Sequence, residues 1–268
     1  MVRSLLVRGM IAGLLGGVVA FGIGKVVGEP QVDKAIAFES FVEAREEHAA
    51  AHHGHDEELV TRSQQNLAGL GTGALIYGVA VGGIFALVFA IAYGRLGTFT
   101  ARGTAAVLGL LGYVSFFVVP ALKYPPSPPA IGNADTIGRR TSLFLLAIVL
   151  SVGAMVLAVV VRRWLAHRVG DWNSTLLAGA AYVAAAIVCF LALPGINEVP
   201  QQALRGVVSA VGDSGVTFPA AVLWRFRVSS FAVQAGLWAT IAIAFGYLAT
   251  RQLEATTVSP GPERVSAR

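Results

Sequence analysis

The sequence predicts an all-α integral membrane protein, a polytopic bundle of about six transmembrane helices. Of the 268 residues, 55% are hydrophobic and only 13% are charged, whereas roughly 25% of the residues in an ordinary soluble domain are charged. The charges are also unevenly spread, so that long stretches contain none. Uncharged apolar stretches of about 18 or more residues are typical of bilayer-spanning helices. The composition therefore excludes a solvated globule.

Six apolar segments are long enough to cross a bilayer, and they cover residues 5–24, 67–93, 104–122, 142–161, 175–193 and 228–249. They divide the chain into a first transmembrane helix (1–24), an extracytoplasmic acidic His-rich loop (25–66), a membrane bundle of about five helices (67–250) and a disordered cytoplasmic tail (251–268). A cleaved signal peptide is the alternative for the first segment, since Arg3 and Arg8 precede it. We expect a retained helix, because no clean A-x-A site follows and the apolar run is long for the hydrophobic region of a signal peptide.

Basic residues in the short connections predict the orientation. They flank alternate connections and both termini, and they are Arg3, Arg8, Arg95, Arg102, Arg162, Arg163, Arg168 and Arg251. The positive-inside rule places such positions in the cytoplasm. Of the acidic residues, three then lie inside and twelve outside. No basic run with interleaved aromatics occurs, so nucleic acid is not an expected partner.

Glycines at every fourth position predict close helix packing. They are Gly9, Gly13 and Gly17 in the first span, and Gly69 with Gly73 and Gly78 with Gly82 in the second. Small residues at this spacing let helix backbones approach closely in lipid. The pattern indicates a compact bundle or a homo-oligomer.

The connection after the first span carries the clearest chemistry. Residues 25–66 contain nine acidic residues and four of the five histidines of the chain. Residues 31–51 lack internal Gly and Pro and predict a helix on or near the membrane surface. On that helix His48 and His52 lie one turn apart on the same face, and Gly54 ends it.

These residues predict a capture site for a divalent transition metal, with the ligands His48, His52, His53, His55, Asp56, Glu57 and Glu58. Imidazole suits zinc, copper, iron and nickel, and cobalt by its similar character. The absence of thiolate argues against a closed zinc site of the cysteine type. The alternative is a set of solvated polar residues or pH sensors. Four histidines within eight residues favour metal contact.

Polar groups are scarce elsewhere. Gln234 lies within the last span, and no acid pair marks a metal path through the bilayer. In the connection before that span, we expect Arg225 and Arg227 to anchor lipid headgroups or to pair with Glu198 or Asp213.

Three features together resemble the CbtA family of predicted cobalt transporter subunits, and the resemblance runs nearly end to end. They are the short first span with its acidic, His-containing loop, the segments Lys123-Tyr-Pro-Pro-Ser-Pro-Pro129 and Thr136-Ile-Gly-Arg-Arg-Thr141, and the segment Phe218-Pro-Ala-Ala-Val-Leu-Trp-Arg-Phe-Arg227. The resemblance implies cobalt uptake across the prokaryotic cytoplasmic membrane, together with a small one-span, His-containing companion subunit of the CbtB type.

We therefore predict a membrane permease subunit for a divalent transition metal. Cobalt is favoured by the resemblance alone, and nickel or zinc would suit the same ligands. A non-transporting metal sensor or assembly scaffold is the main alternative. A membrane enzyme is less favoured, since no H-E-x-x-H pattern occurs, and the chain has no phosphate-binding loop for ATP.

Overall fold

A computed structural model gives the fold and describes residues 2–49, 69–129, 131–132, 134–196 and 218–258. All regular structure in these residues is helical. The long helices are α1 Val2–Ile23, α2 Glu29–Ala49, α3 Leu70–Ala92, α4 Ala101–Lys123, α5 Ile137–Ala192 and α6 Ala220–Val258. The predicted all-α fold is confirmed.

Helix α5 is a hairpin of two helices. A straight helix of 56 residues would be about 84 Å long, far more than the roughly 30 Å of a bilayer core. Gly170 interrupts it with φ 79° and ψ 165°, values that glycine adopts more readily than other residues. The hydroxyls of Ser151 and Tyr182 share a hydrogen bond of 2.8 Å across the two arms. The arms, 137–169 and 171–192, therefore run antiparallel.

The hairpin accounts for the number of spans. By length and composition, five helices of the described chain could cross a membrane, and α5 is one of them. Counting its two arms separately gives six, in agreement with the prediction. Large apolar side chains point outward from the bundle, among them Leu191, Ile243 and Val26, which are 82%, 74% and 74% exposed. Such surfaces suit contact with lipid, and the protein is a multi-pass membrane protein.

Helices α1 and α3 pack through glycine against glycine, in antiparallel register. A Cβ built on Gly13 would lie 2.1 Å from the carbonyl oxygen of Gly78, and one on Gly82 would lie 2.2 Å from that of Gly9. Gly17 meets the backbone of Ala74 in the same way. The predicted close approach is confirmed for these glycines. Nothing described lies within 4 Å of a Cβ on Gly69 or Gly73, so that pair does not take part.

The opposite side of α1 packs against α6, which completes the core. Gly16 faces Leu237 and Ile241 of α6. Both of these side chains are fully buried. Phe85 of α3 joins them through an edge-to-face contact with Phe245, with ring centroids 5.4 Å apart. α1 is therefore held between α3 and α6.

One end of the bundle collects the basic connections, and we call it the inner end in keeping with the predicted orientation. Arg8 of α1 donates a hydrogen bond to the side chain of Gln252 on α6. The Tyr247 ring lies under two guanidinium groups, 5.6 Å from Arg102 and 4.6 Å from Arg251.

The turn of the α5 hairpin lies at this same end. Arg162 donates to the carbonyl oxygen of Leu96 at 3.4 Å and pairs with Asp171 at 3.3 Å. Arg168 lies 4.4 Å above the ring of Trp164, a pairing typical of membrane interfaces. The basic positions thus share one end, as the sequence predicted. Which side of the membrane this end faces stays a prediction.

Helix α2 continues from α1 without a turn. The backbone stays helical through Gly24–Gly28, where the hydrogen bonds widen to a π-helical pattern. The helix predicted for 31–51 therefore occurs, at Glu29–Ala49, as an extension of the first span. At the other terminus α6 continues to Val258, so residues 251–258 are helical where a disordered tail was predicted.

Adding one methyl group at Gly82 tests the glycine contact between α1 and α3. We expect Gly82→Ala to lower the melting temperature of the detergent-purified protein, because its Cβ would overlap the backbone of α1. Overpacking of this kind costs about 1–3 kcal/mol. Gly73→Ala on the same helix is the matched control, since its Cβ meets nothing described. Equal melting temperatures for the two variants would contradict the packing described here.

Candidate cation-entry site

The predicted metal ligands fall largely outside the described residues. The backbone of His48 lies near the end of α2. The side chain of His48 and all of His52, His53, His55, Asp56, Glu57 and Glu58 lie outside the part that the structure describes. Within the described part, no group of three or more His, Cys, Asp or Glu residues could hold a metal ion. The seven-residue ligand set therefore stays a prediction.

The structure does show how the base of the His-bearing segment is held. One face of α2 packs on the start of α6 at the outer end of the bundle. Ala35 is fully buried there, together with Ile131 and Phe218. The rings of Phe38 and Phe218 meet edge to face, with centroids 5.1 Å apart and planes at 73°. These contacts fix the first half of α2 to the bundle.

Polar side chains are buried where α1 passes into α2. Glu29 is 9% exposed, Gln31 is 8% exposed and Ser229 of α6 is 1% exposed. A Cβ on Gly28 would lie 4.0 Å from the Ser229 hydroxyl, so the two helices approach here. Glu29 is the buried carboxylate among the described residues, and the Oε1 atom of Gln31 is buried without a hydrogen-bond partner. The outer end of the bundle is therefore polar inside.

Two prolines disturb the helical hydrogen bonding near the outer end of the bundle. π-helical turns occupy Gly24–Gly28 before Pro30 and Tyr113–Val118 before Pro120. Proline has no N–H, and its ring clashes with the carbonyl four residues earlier, so the preceding turn must widen or bend. Each proline leaves at least one carbonyl oxygen of that turn without an intrahelical donor.

Both widened turns face the same stretch of α6. A Cβ on Gly24 would lie 3.8 Å from Val233. From the other side, the Tyr113 hydroxyl donates to the carbonyl oxygen of Phe231 at 3.3 Å, and the ring centroids of Phe117 and Phe231 lie 5.0 Å apart. The outer half of α6 is thus enclosed by two backbone segments with disturbed hydrogen bonding.

Gln234 lies on this enclosed stretch of α6. Its side chain is hydrogen-bonded to the phenol of Tyr77 on α3, and its Oε1 atom is buried without a partner. A buried amide oxygen without a donor costs about 1–3 kcal/mol. Inside a membrane such groups tend to mark substrate pathways. Amide and carbonyl oxygens could replace part of the hydration shell of a cation.

An aromatic layer lies further inward. The ring of Phe89 meets that of Phe245 at 4.9 Å, edge to face, and both side chains are fully buried. Trp238 packs so closely on α4 that a Cβ on Gly112 would lie 2.2 Å from its ring. The polar groups near Gln234 are therefore separated from the inner end by packed aromatic side chains.

A protein-family model matches residues 2–250 of the chain. The matching family is described as "Probable cobalt transporter subunit (CbtA)". The chain belongs to the CbtA family. A search of curated proteins and a search of solved structures found no match. Membership confirms the resemblance drawn from the sequence, and it agrees with the multi-pass architecture.

The buried residues at the outer end were missed by sequence reasoning. Glu29 and Gln31 were assigned to the extracytoplasmic segment 25–66, with Gln31 at the start of a helix on or near the membrane surface, because the polar composition begins at Lys25. A signal was present, however. Val26 and Val27 continue the apolar pattern past Lys25, and Pro30 follows the apolar span at a distance that a widened turn can absorb. Gln234 was noted as polar, but its neighbours are distant in sequence.

Substitution of Gln234 distinguishes a role in cobalt uptake from a role in the stability of the protein. We expect Gln234→Leu to keep or raise the melting temperature, since it removes an unpaired buried oxygen. We expect cobalt uptake into vesicles containing the variant to fall about tenfold or more, the usual cost of removing a metal-contacting group. Tyr77→Phe, which keeps Gln234, serves as the comparison and should have the smaller effect on uptake. A stable Gln234→Leu protein with full uptake would remove this residue from the path.

Proposed function

We propose that this protein is the membrane permease subunit for uptake of divalent cobalt across the cytoplasmic membrane of a prokaryote. The observation that carries the proposal is the CbtA match over residues 2–250. The six-span bundle supports it, since a permease needs a polytopic core. Nickel and zinc are competing substrates to be compared, because imidazole and carboxylate ligands alone do not select cobalt.

Capture by the His-rich segment is the first step of the proposed mechanism. The ligands are His48, His52, His53 and His55 with the neighbouring carboxylates 56–58. Two observations support this step: the density of imidazole in this stretch, and the packing of α2 onto the outer end of the bundle, which ties the segment to the entrance. Neutral imidazole would bind Co²⁺ outside and release it toward the bundle.

Passage follows the polar groups on α6. Cobalt would move from the buried Glu29 and Ser229 level to the oxygen of Gln234. The aromatic layer of Phe89 and Phe245 must then open toward the inner end. Because the family is one of transporter subunits, we further propose a companion subunit, of the small one-span His-containing CbtB type, as the partner that completes the transporter.

The histidines give a prediction with a clear pH dependence. Changing His48, His52, His53 and His55 to alanine should lower uptake at limiting cobalt about tenfold or more. In the unchanged protein, binding should weaken as the pH falls through about 6.5, because protonated imidazole cannot coordinate a metal. His167→Ala is the matched control, since this fifth histidine lies in the α5 hairpin near its turn.

Isothermal titration of the reconstituted protein with cobalt, nickel and zinc measures binding, and radioactive cobalt flux measures transport. If the quadruple variant loses binding and keeps uptake, the segment is not the capture site. If cobalt binds but no flux occurs, even with a companion subunit present, the protein is a sensor or scaffold and the permease proposal is wrong.

The proposed orientation is tested by cysteine labelling. Cys189 is the only cysteine, so Cys189→Ser gives a background without thiols. We expect Ser127→Cys in that background to react with a membrane-impermeant maleimide on intact cells, because Ser127 is exposed at the outer end. Thr98→Cys, exposed in the connection between α3 and α4, should react only after lysis. The reverse result would invert the topology and place the His-rich segment in the cytoplasm.

A further inference from the structure

A cavity of about 870 Å³ opens at the outer end of the bundle, away from the proposed cation path. Its walls come from the end of α4, the start of α5, the proline-rich connection 124–129 and the first turns of α6. The segments treated separately as sequence motifs, Lys123–Pro129, Thr136–Thr141 and Phe218–Arg227, all contribute to this one space.

The charge of the cavity is positive. Arg140 and Arg227 line it, and no described lining residue carries a carboxylate. The Nε atom of Arg227 is buried and has no hydrogen-bond partner. A guanidinium group that is partly removed from water without an opposite charge is strongly disfavoured. An anion placed in the cavity beside Arg227 would therefore be stabilised by this guanidinium group.

The guanidinium of Arg140 lies against the backbone of Gly132. Gly132 has φ +123°, in the region that favours glycine, and a Cβ there would lie 2.1 Å from the Nη1 atom of Arg140. Any larger residue at 132 would displace the guanidinium. The glycine at position 132 therefore leaves room for the Arg140 side chain.

Hydrogen bonds fix the rim of the cavity. The Tyr124 hydroxyl donates to the carbonyl oxygen of Pro194 at 2.8 Å, and the Lys123 ammonium donates to that of Phe190 at 2.5 Å. Desolvation raises the pKa of the Tyr124 phenol above its usual value, so it stays a neutral donor. The rim joins α4 to the second arm of α5 and holds the opening in place.

The deeper wall of the cavity is apolar. Phe117 and Ala121 of α4 and Phe144 of α5 line it. Phe144 lies about two turns inside α5. A ligand that fills this space needs an anionic group for Arg227 and an apolar portion for the deeper wall. A phospholipid of the outer leaflet has both.

We propose that this cavity binds an anionic phospholipid, with its phosphate on the Arg227 guanidinium and one acyl chain along the apolar wall. Arginine suits this role because its planar fork matches phosphate oxygens. The site is independent of the cation ligands, so the proposal stands whether or not the protein transports cobalt.

The test uses the whole purified protein in nanodiscs and native mass spectrometry. With equal amounts of phosphatidylglycerol and phosphatidylcholine, we expect retained lipid to be mostly phosphatidylglycerol. Arg227→Gln should lose this preference about tenfold or more, since it removes the charge-assisted hydrogen bonds to the phosphate. Arg225→Gln is the matched control, because Arg225 is exposed two residues away. Arg227→Lys keeps the charge without the fork and should retain part of the preference.

Several outcomes would overturn the proposal. One is equal retention of both lipids by the unchanged protein, a result that needs no variant to fold. Another is loss of preference in Arg225→Gln equal to that in Arg227→Gln, which would indicate general surface attraction. A third is stabilisation of the delipidated protein by inorganic phosphate as large as that by phosphatidylglycerol, which would assign the cavity to a free anion.

Discussion

The approach of α1 to α3, backbone against backbone, is the contact on which the rest of the bundle depends. In lipid no hydrophobic force draws two apolar helices together, so association relies on close packing of small residues. Gly13 and Gly82 permit that packing because any Cβ would overlap the opposite backbone. With α1 fixed on one side, its opposite face receives Leu237 and Ile241 of α6. The position of Gln234 one turn before Leu237 follows from this arrangement.

A second constraint acts on the backbone itself, because every N–H and C=O group inside a membrane must find a partner. Pro30 and Pro120 break this rule in two helices that flank α6. The π-helical turns before them absorb the clash, and both turns lie beside the outer half of α6. Backbone irregularity at this depth is tolerated where it lines a polar space. Under the proposed mechanism, carbonyl oxygens that lose their intrahelical donor at these prolines would be available to a cation.

The sequence was sufficient for properties that depend on local composition. Hydropathy located the six spans, and glycine spacing predicted close helix packing at Gly9, Gly13 and Gly17, although not that these residues meet α3. The convergence of the short basic connections at one end was also predictable, as Arg8 and Arg162 show. Sequence patterns did not predict the burial of residues that become interior only by contact with a partner helix. Glu29 and Gln31 are polar residues at the end of a span, and only the packing of α6 against α2 makes them interior.

The outer cavity also could not be predicted from local sequence patterns, since its residues come from three distant stretches of the chain. Lys123–Pro129, Thr136–Thr141 and Phe218–Arg227 each had distinctive composition, and their convergence needs the α5 hairpin and the end of α4 side by side. Sequence reasoning treated Arg225 and Arg227 alike. The structure separates them, with Arg225 exposed and Arg227 in the cavity wall. The positions of the metal ligands beyond His48 lie outside the described residues.

The two proposed sites are linked through α6. Arg227 and Gln234 are seven residues apart, two turns of one helix face, or about 10 Å along the axis. A divalent cation at Gln234 would be repelled by an uncompensated Arg227 by roughly 3 kcal/mol at an effective dielectric constant of about 20. A phosphate on Arg227 would cancel most of that repulsion. Occupation of the cavity by an anionic lipid would therefore make the outer half of α6 more favourable for a cation, without any direct contact between lipid and metal.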